Sequence, residues 1–376
     1  MLAPVYLDHN ATSPLRPSAF DAMAEALRAG GNPSSVHKVG RAARVAVDRA
    51  RRQVADLVGA LPAEVIFTSG GTEANNMALR GAGRRRLLIS AVEHESVRNA
   101  APDATAIPVD ARGVVELGAL EAALGASSEP ALVSVMLANN ETGVVQPIAD
   151  VVRLARAAGA LVHCDAVQAA GKMPLSLHGL GVDYLSLAAH KLGGPTGVGA
   201  LVVRAGAPLA TDRKGGAQEA NRRAGTENVA GIAGFGAAAT EALGGRDLRS
   251  LRDRLELALV QIAPGARVFG SGAKRLDNTT FISMPGVSAE TQVMAFDLAG
   301  VCISAGSACS SGKVHRSAVL AAMAVPAAEA ATAVRISLGW NTESADVERL
   351  IAAWRDLYIR VSKSDTSRAN SQARAA

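Results

Sequence analysis

Six short apolar runs recur along the chain, at 64–68, 86–90, 131–137, 160–164, 183–187 and 199–203. Runs of this length without polar alternation fit strands buried on both faces, as in a mostly parallel sheet. Between them the spacing is helical. Over 41–59, Ala43, Val47, Ala50, Val54 and Leu57 recur at steps of three and four, arginines fill the other face, and Gly59 suits the stop. A second helix is expected over 147–159, with Pro147 near its first turn and Gly159 at its end. Such alternation of strand and helix dictates an α/β fold with helices on both faces of the sheet.

After about residue 244 the texture changes. A long helix is expected over 249–262, then strands at 278–284, 301–304 and 334–338 with helices at 289–298, 317–323 and 345–358. This gives a large domain over 16–248 and a smaller α+β domain built from 1–15 and 249–361. The last stretch, 362–376, is rich in Ser, Arg, Ala, Asn and Gln and is expected as a disordered tail.

A chain of 376 residues with 49% hydrophobic and 19% charged residues can bury a large core. With aromatics at only 3%, Ala, Val and Leu must fill it. The net charge of +5 reads as a solvated Arg-rich surface. Arg84, Arg85 and Arg86 have no aromatic residues among them to stack on bases, so no nucleic-acid partner is expected. Cys164, Cys302 and Cys309 are too few and too far apart for a disulfide framework or a zinc site. No leader is read at the start, and the most apolar long stretch, 229–243, is broken by glycines and carries Glu241. A cytoplasmic protein with reduced thiols and no membrane partner is expected.

In open α/β sheets, ligands bind beyond the carboxyl ends of the strands. There the runs are followed by chemistry-bearing residues. After 64–68 comes Ser69-Gly70-Gly71-Thr72, a turn opening a helix, where backbone N–H groups and a hydroxyl can cradle a phosphate or simply cap the helix. After 86–90 comes His94, which can stack on a flat ring or sit on the surface. After 131–137 come Asn139 and Asn140, turn formers that can also donate to a phenolate or carboxylate. Asp165, just after 160–164, needs a cation or a capping role to offset its desolvation, and Gln168 follows it. His190 and Lys191 follow 183–187, and a lysine desolvated there is a nucleophilic amine. Together these are the parts that pyridoxal 5'-phosphate (PLP) requires: a lysine, an acid for the ring nitrogen and a phosphate site.

The stretches Tyr6-Leu7-Asp8-His9-Asn10-Ala11-Thr12, TSGGTEANN, VEHESV, NNETG, HCDAVQ, AHKLGGPTGVGAL and RRAGTEN resemble the cysteine desulfurases, fold-type I PLP enzymes of the class V aminotransferase group. The resemblance runs in order from about Tyr6 to Trp354. It implies a mostly parallel seven-stranded sheet in the large domain. It implies that Lys191 holds PLP, Asp165 meets the pyridine nitrogen and His94 stacks on the ring. Gln168 and Asn140 would contact the ring oxygen and substrate. Gly71, Thr72 and His190 would contact the phosphate, with Thr226 of a second subunit, so that a homodimer is implied. Arg335 would grip the substrate carboxylate, a bidentate task suited to guanidinium. One position departs from the family pattern: Ala188 stands where a hydroxyl residue usually touches the phosphate.

Cys309 decides the reaction. By composition its surroundings, Ser304-Ala305-Gly306-Ser307-Ala308-Cys309-Ser310-Ser311-Gly312, are small and polar and are expected to form a mobile loop, in which a cysteine can be inert. The same stretch resembles the persulfide loop of the desulfurases, in the branch where that loop is extended. The resemblance implies that L-cysteine gives up its sulfur to Cys309, leaving L-alanine and a persulfide for a sulfur acceptor, an iron–sulfur scaffold or a sulfur-relay protein. No metal site is expected. Selenocysteine cleavage, another PLP aminotransferase reaction and a PLP-binding accessory protein without turnover are the alternatives.

Overall fold

The computed structural model describes residues 3–211, 213–306 and 317–375, with side chains to Val361 in the last helix. Twelve strands are present among them: β1 (Val5–Tyr6), β2 (Val65–Thr68), β3 (Arg86–Ser90), β4 (Thr105–Ile107), β5 (Ala131–Ser134), β6 (Leu161–Asp165), β7 (Tyr184–Ala188), β8 (Gly199–Val203), β9 (Thr279–Ser283), β10 (Val301–Cys302), β11 (Ser304–Ala305) and β12 (Ala333–Ser337).

Seven of them form the main sheet in the order β2-β8-β7-β6-β5-β3-β4. All neighbours are parallel except where β8 meets β7 and β2. The mostly parallel seven-stranded α/β fold expected from the sequence is the one observed. Every residue of β2, β5, β7 and β8 is buried, because helices cover both faces. One face packs against helices Pro17–Ala29, Lys38–Leu57, Ile148–Ala157 and Val229–Ala242 through Val47, Val54, Ile232 and Phe235. The other packs against Gly71–Gly81 through Ala74, Met77 and Ala78. β3 pairs with β4 on one side and β5 on the other, so chain direction across the sheet reverses there. Such a reversal opens a crevice at the carboxyl ends of the strands.

Beyond the sheet, β11, β12 and β9 form an antiparallel sheet, and β1 pairs in parallel with β10. A second core lies here, where Trp354 stacks on Phe296 with ring centroids 6.1 Å apart. The bridge from Asp8 to Ser337 carries the N-terminal stretch past β12 toward the crevice. The last helix is longer than expected: Ser344–Ala375 is one helix, so the segment read as a disordered tail continues it. Its Ala, Arg and Gln are good helix formers, which a reading by core periodicity discounts. No helix among the described residues is long and apolar enough to cross a membrane.

Candidate active site

A cleft of about 390 Å³ opens at the carboxyl ends of the strands. Gly71, Thr72, His94, Asn140, Asp165, Gln168, His190, Lys191 and Arg335 all line it. One described residue from the sequence reading is not brought there. Thr226 is exposed and is not part of the lining. Cys309 lies outside the described residues.

The Gly71 end of the cleft is built by close packing. Helix Gly71–Gly81 starts directly after β2, and its first N–H groups have no intrahelical partner. A Cβ on Gly199 would lie 2.5 Å from the Leu187 carbonyl oxygen and 2.7 Å from the Gly70 backbone, so only glycine lets β8 pass under this turn. Glu73 locks the turn, accepting from the Ser69 N–H at 2.7 Å and pairing with Arg223 at 2.9 Å. Burial would raise the Glu73 pKa, but the bonds from Arg223 and Ser69 outweigh it and hold the group low. The His190 Nδ1 lies 2.8 Å from the Thr12 Oγ1. Burial, with Lys191 and Lys172 adding, lowers its pKa to about 4, so this ring is neutral near pH 7. Ala188 is buried at the end of β7, and its methyl would lie 3.6 Å from a Cβ on Gly71.

The middle of the cleft is tied together by Asn75, which the sequence reading did not single out. Its Nδ2 donates to Asp165 Oδ2 and to Ser96 Oγ, both at 2.8 Å. Asp165 Oδ1 accepts from the Val167 N–H at 3.0 Å. Ser96 Oγ lies 2.8 Å from His94 Nδ1, which also accepts from the Ser96 N–H. Acid and ring are therefore set by one amide reaching across three strand ends.

Lys191 Nζ donates to the carbonyl oxygens of Asn10 and Ala11 at 2.6 and 2.8 Å. Arg335, buried on β12, donates to the Asn140 carbonyl at 3.1 Å and to Asp8 Oδ1 at 2.8 Å. Glu141, next to Asn140, hydrogen-bonds Ser317 Oγ, and its Oε2 would lie 3.2 Å from a Cβ on Gly306. Both described flanks of the Cys309 segment thus meet at the Asn140 end of the cleft.

These residues fit PLP. Two buried polar atoms in the lining, Asn75 Oδ1 and Arg335 Nε, have no hydrogen-bond partner among the described residues. Such orphans call for a ligand or water. The cleft has the size of a cofactor site, with a helix N-terminus at one end, a buried carboxylate, and an amine.

Residues 5–350 match the family model described as Aminotransferase class-V. A cysteine desulfurase from Cereibacter sphaeroides is 47% identical over 364 residues, covering 92% of this chain and 94% of that protein. The chain belongs to the class-V aminotransferase family, among the cysteine desulfurases. An IscS-like cysteine desulfurase from Mycobacterium tuberculosis is 40% identical, covering 91% of this chain and 93% of that protein. Among solved structures, a NifS-like protein from Rickettsia africae superposes with a TM-score of 0.87 at 34% identity, covering 94% of this chain and 99% of that one. The cofactor of this class-V chain is PLP.

Proposed function

We propose that the chain takes sulfur from L-cysteine, releases L-alanine and carries the sulfur as a persulfide on Cys309 to an acceptor. The observation that carries this reading is the convergence of Lys191, Asp165, His94 and Arg335, with the Gly71–Thr72 turn, on one cleft in a chain of the cysteine desulfurase family. When bound, PLP supplies a ring that accepts electrons from the substrate Cα.

The residues divide the remaining work. The turn at Gly71 and Thr72, with His190, holds the phosphate. Asp165 keeps a proton on the ring nitrogen, and the Asn75 bond keeps its carboxylate aimed. His94 covers the ring face. Lys191 holds the cofactor and moves the proton at the substrate Cα. Arg335 and Asn140 orient the substrate carboxylate, with Arg335 Nε the donor still open in the guanidinium. Cys309, as thiolate, takes the sulfur. Cys164 and Cys302 are poor candidates for that step. Burial raises the Cys164 thiol well above its usual range, with Asp165 and Glu93 adding, and burial also raises Cys302, helped by Asp297 and Asp8.

The cofactor domain is 16–248, and 1–15 with 249–361 form the smaller domain; the pairing of β1 with β10 supports that grouping. The working unit is a homodimer in which Thr226 of each subunit reaches the other's phosphate. Its support is the exposure of Thr226 and of Phe20 (62%), Leu27 (68%) and Val36 (87%), a surface that a second copy would cover. The acceptor is an iron–sulfur scaffold or a sulfur-relay protein, and the compartment is the cytoplasm, where thiols stay reduced.

The test is an absorbance spectrum of the purified protein, then L-cysteine with a thiol reductant, with alanine and sulfide both assayed. A yellow protein making equal alanine and sulfide is expected. Cys309→Ser keeps the colour and loses sulfide release. Full sulfide production by that variant would refute the role of Cys309, and a colourless, inert protein even with added PLP would refute the enzyme reading.

A further inference from the structure

Lys172 has no part in the roles described so far, yet it touches two residues beside the reacting lysine. Its Nζ lies 2.9 Å from Asn10 Oδ1 and 2.8 Å from Gln168 Oε1. Among the described residues no carboxylate lies within ion-pair distance of it. A lysine amine closed in without an acid partner is costly unless it does something else. Burial holds its pKa well below the usual range, and Lys191 and Arg335 push it further the same way.

The consequence is geometric. An amide can present either its oxygen or its NH2, and the Lys172 nitrogen, which carries N–H donors whether charged or neutral, donates to both oxygens. Lys172 therefore fixes the oxygens of Gln168 and Asn10 on its own side, and both NH2 groups must face away. Gln168 Nε2 then donates to the Asn10 carbonyl at 3.0 Å, on the same oxygen that accepts from Lys191 Nζ. Asn10 Nδ2 donates to the Asn140 carbonyl at 3.2 Å and to Thr279 Oγ1 at 2.9 Å. Gln168 and Asn10 are 5% and 1% exposed, so neither amide can turn freely into solvent. Lys172, Gln168, Asn10 and Lys191 form one continuous network at the cleft wall.

We propose that Lys172 is a positioning residue that acts through Gln168, holding that amide with its N–H toward the cleft and toward the nitrogen of Lys191. The inference rests on the PLP reading of the cleft. In it, the Gln168 N–H places positive potential beside the Lys191 nitrogen, which favours loss of a proton from that atom.

The test uses the cofactor-loaded chain and three readouts: the pH midpoint of its visible absorption, the PLP dissociation constant, and the melting temperature of the cofactor-free chain. Lys172→Met is expected to raise the midpoint by about one pH unit and to weaken PLP binding by about tenfold. Lys172→Arg, which keeps donors, restores most of both. Gln168→Ala reproduces the shift, and adding Lys172→Met to it shifts the midpoint no further. A Lys172→Met chain that changes only in melting temperature overturns the proposal, as does a double variant in which the two shifts add in full. If Lys172→Met does not fold, Lys172→Gln is read on the same quantities, since its amide no longer dictates the orientation of Gln168. Failure of the PLP reading is distinguishable, because the unsubstituted chain would then show no visible band to titrate.

Discussion

Ala188 closes the Gly71 end of the cleft, proposed above to hold the phosphate, with a methyl group where a hydroxyl would be a donor. It is buried, yet an ordinary contact distance separates it from the position of a Gly71 Cβ. One more oxygen on this side chain therefore has somewhere to point. Ala188→Ser is expected to tighten PLP by about tenfold or somewhat more, the worth of one hydrogen bond to a charged group. Fluorescence titration of the cofactor-free chain checks it, and an unchanged or weaker affinity would show that the phosphate is already satisfied by the turn at Gly71 and Thr72. Eight of the nine expected cleft residues were legible because each closely follows a buried run or ends one, whereas Arg335 lies inside β12 and was marked only by the family resemblance. Asn75, Asn10 and Lys172 were not legible. Asn75 looks like any polar helix residue until β6 brings Asp165, ninety positions later, to its Nδ2. Lys172 meets Asn10 across a separation of 162 positions. No periodicity encodes such pairs, because they exist only once the strand ends are side by side.

At the scale of elements, the buried strands were read correctly because their runs are apolar on both faces, whereas β4 was missed. It has three residues at the sheet edge, two of them exposed, so no apolar run marks it. The segment carrying Thr226 was equally hidden. Glu219, Ala220 and Asn221 adopt φ of 47°, 54° and 63°, a left-handed path that disfavours residues with a Cβ. What holds them is the Glu219 carboxylate. It accepts from Arg51 at 2.6 and 2.7 Å and from the Phe67 N–H at 3.0 Å, tying the segment to helix Lys38–Leu57 and to β2. Arg51 lies over the Phe67 ring, 4.8 Å from its centroid, so the pair is well enclosed. Glu219→Ala would leave the Arg51 guanidinium without its counter-charge, with only the Val65 carbonyl at 2.8 Å as acceptor, and the Phe67 N–H without this carboxylate. A loss of about 3 kcal/mol or more is expected, read from urea unfolding of the cofactor-free chain. A loss below about 1 kcal/mol would mean that relief of the left-handed path offsets the broken bonds. The segment would then be held by the Arg223–Glu73 pair instead.

For the whole molecule, buried titratable groups make stability depend on pH, and one buried carboxyl, Glu93, contributes through a window that can be isolated. Glu93 is buried behind Asp165, and burial pushes its pKa up to about 8, with Asp165 adding and the bonds from Ser90 and Met136 opposing. Its Oε1 accepts from Ser90 Oγ at 2.6 Å and from the Met136 N–H at 2.7 Å, while Oε2 has no partner among the described residues. That is the environment of a neutral acid. The folded chain thus keeps a proton on Glu93 that the unfolded chain releases above the ordinary value of 4.5. Between about 4.5 and 8 the folded state binds more protons at this site, so its contribution to stability falls as pH rises and levels off above 8. Buried Glu141, raised by burial to about 7, acts in the same direction over a narrower window. His163, lowered by burial to about 4, acts oppositely up to 6.5, and so does Lys172 at higher pH. Because these partly cancel, the informative quantity is a difference between two chains. Glu93→Gln keeps an oxygen for Ser90 and Met136 but has no proton to lose. Relative to it, the unsubstituted chain should lose up to about 1.4 kcal/mol of stability per pH unit through that window, measured by urea unfolding at pH 5, 6, 7 and 8 without cofactor. Parallel curves would mean that Glu93 is already charged in the folded chain and that burial there is offset by the bonds from Ser90 and Met136.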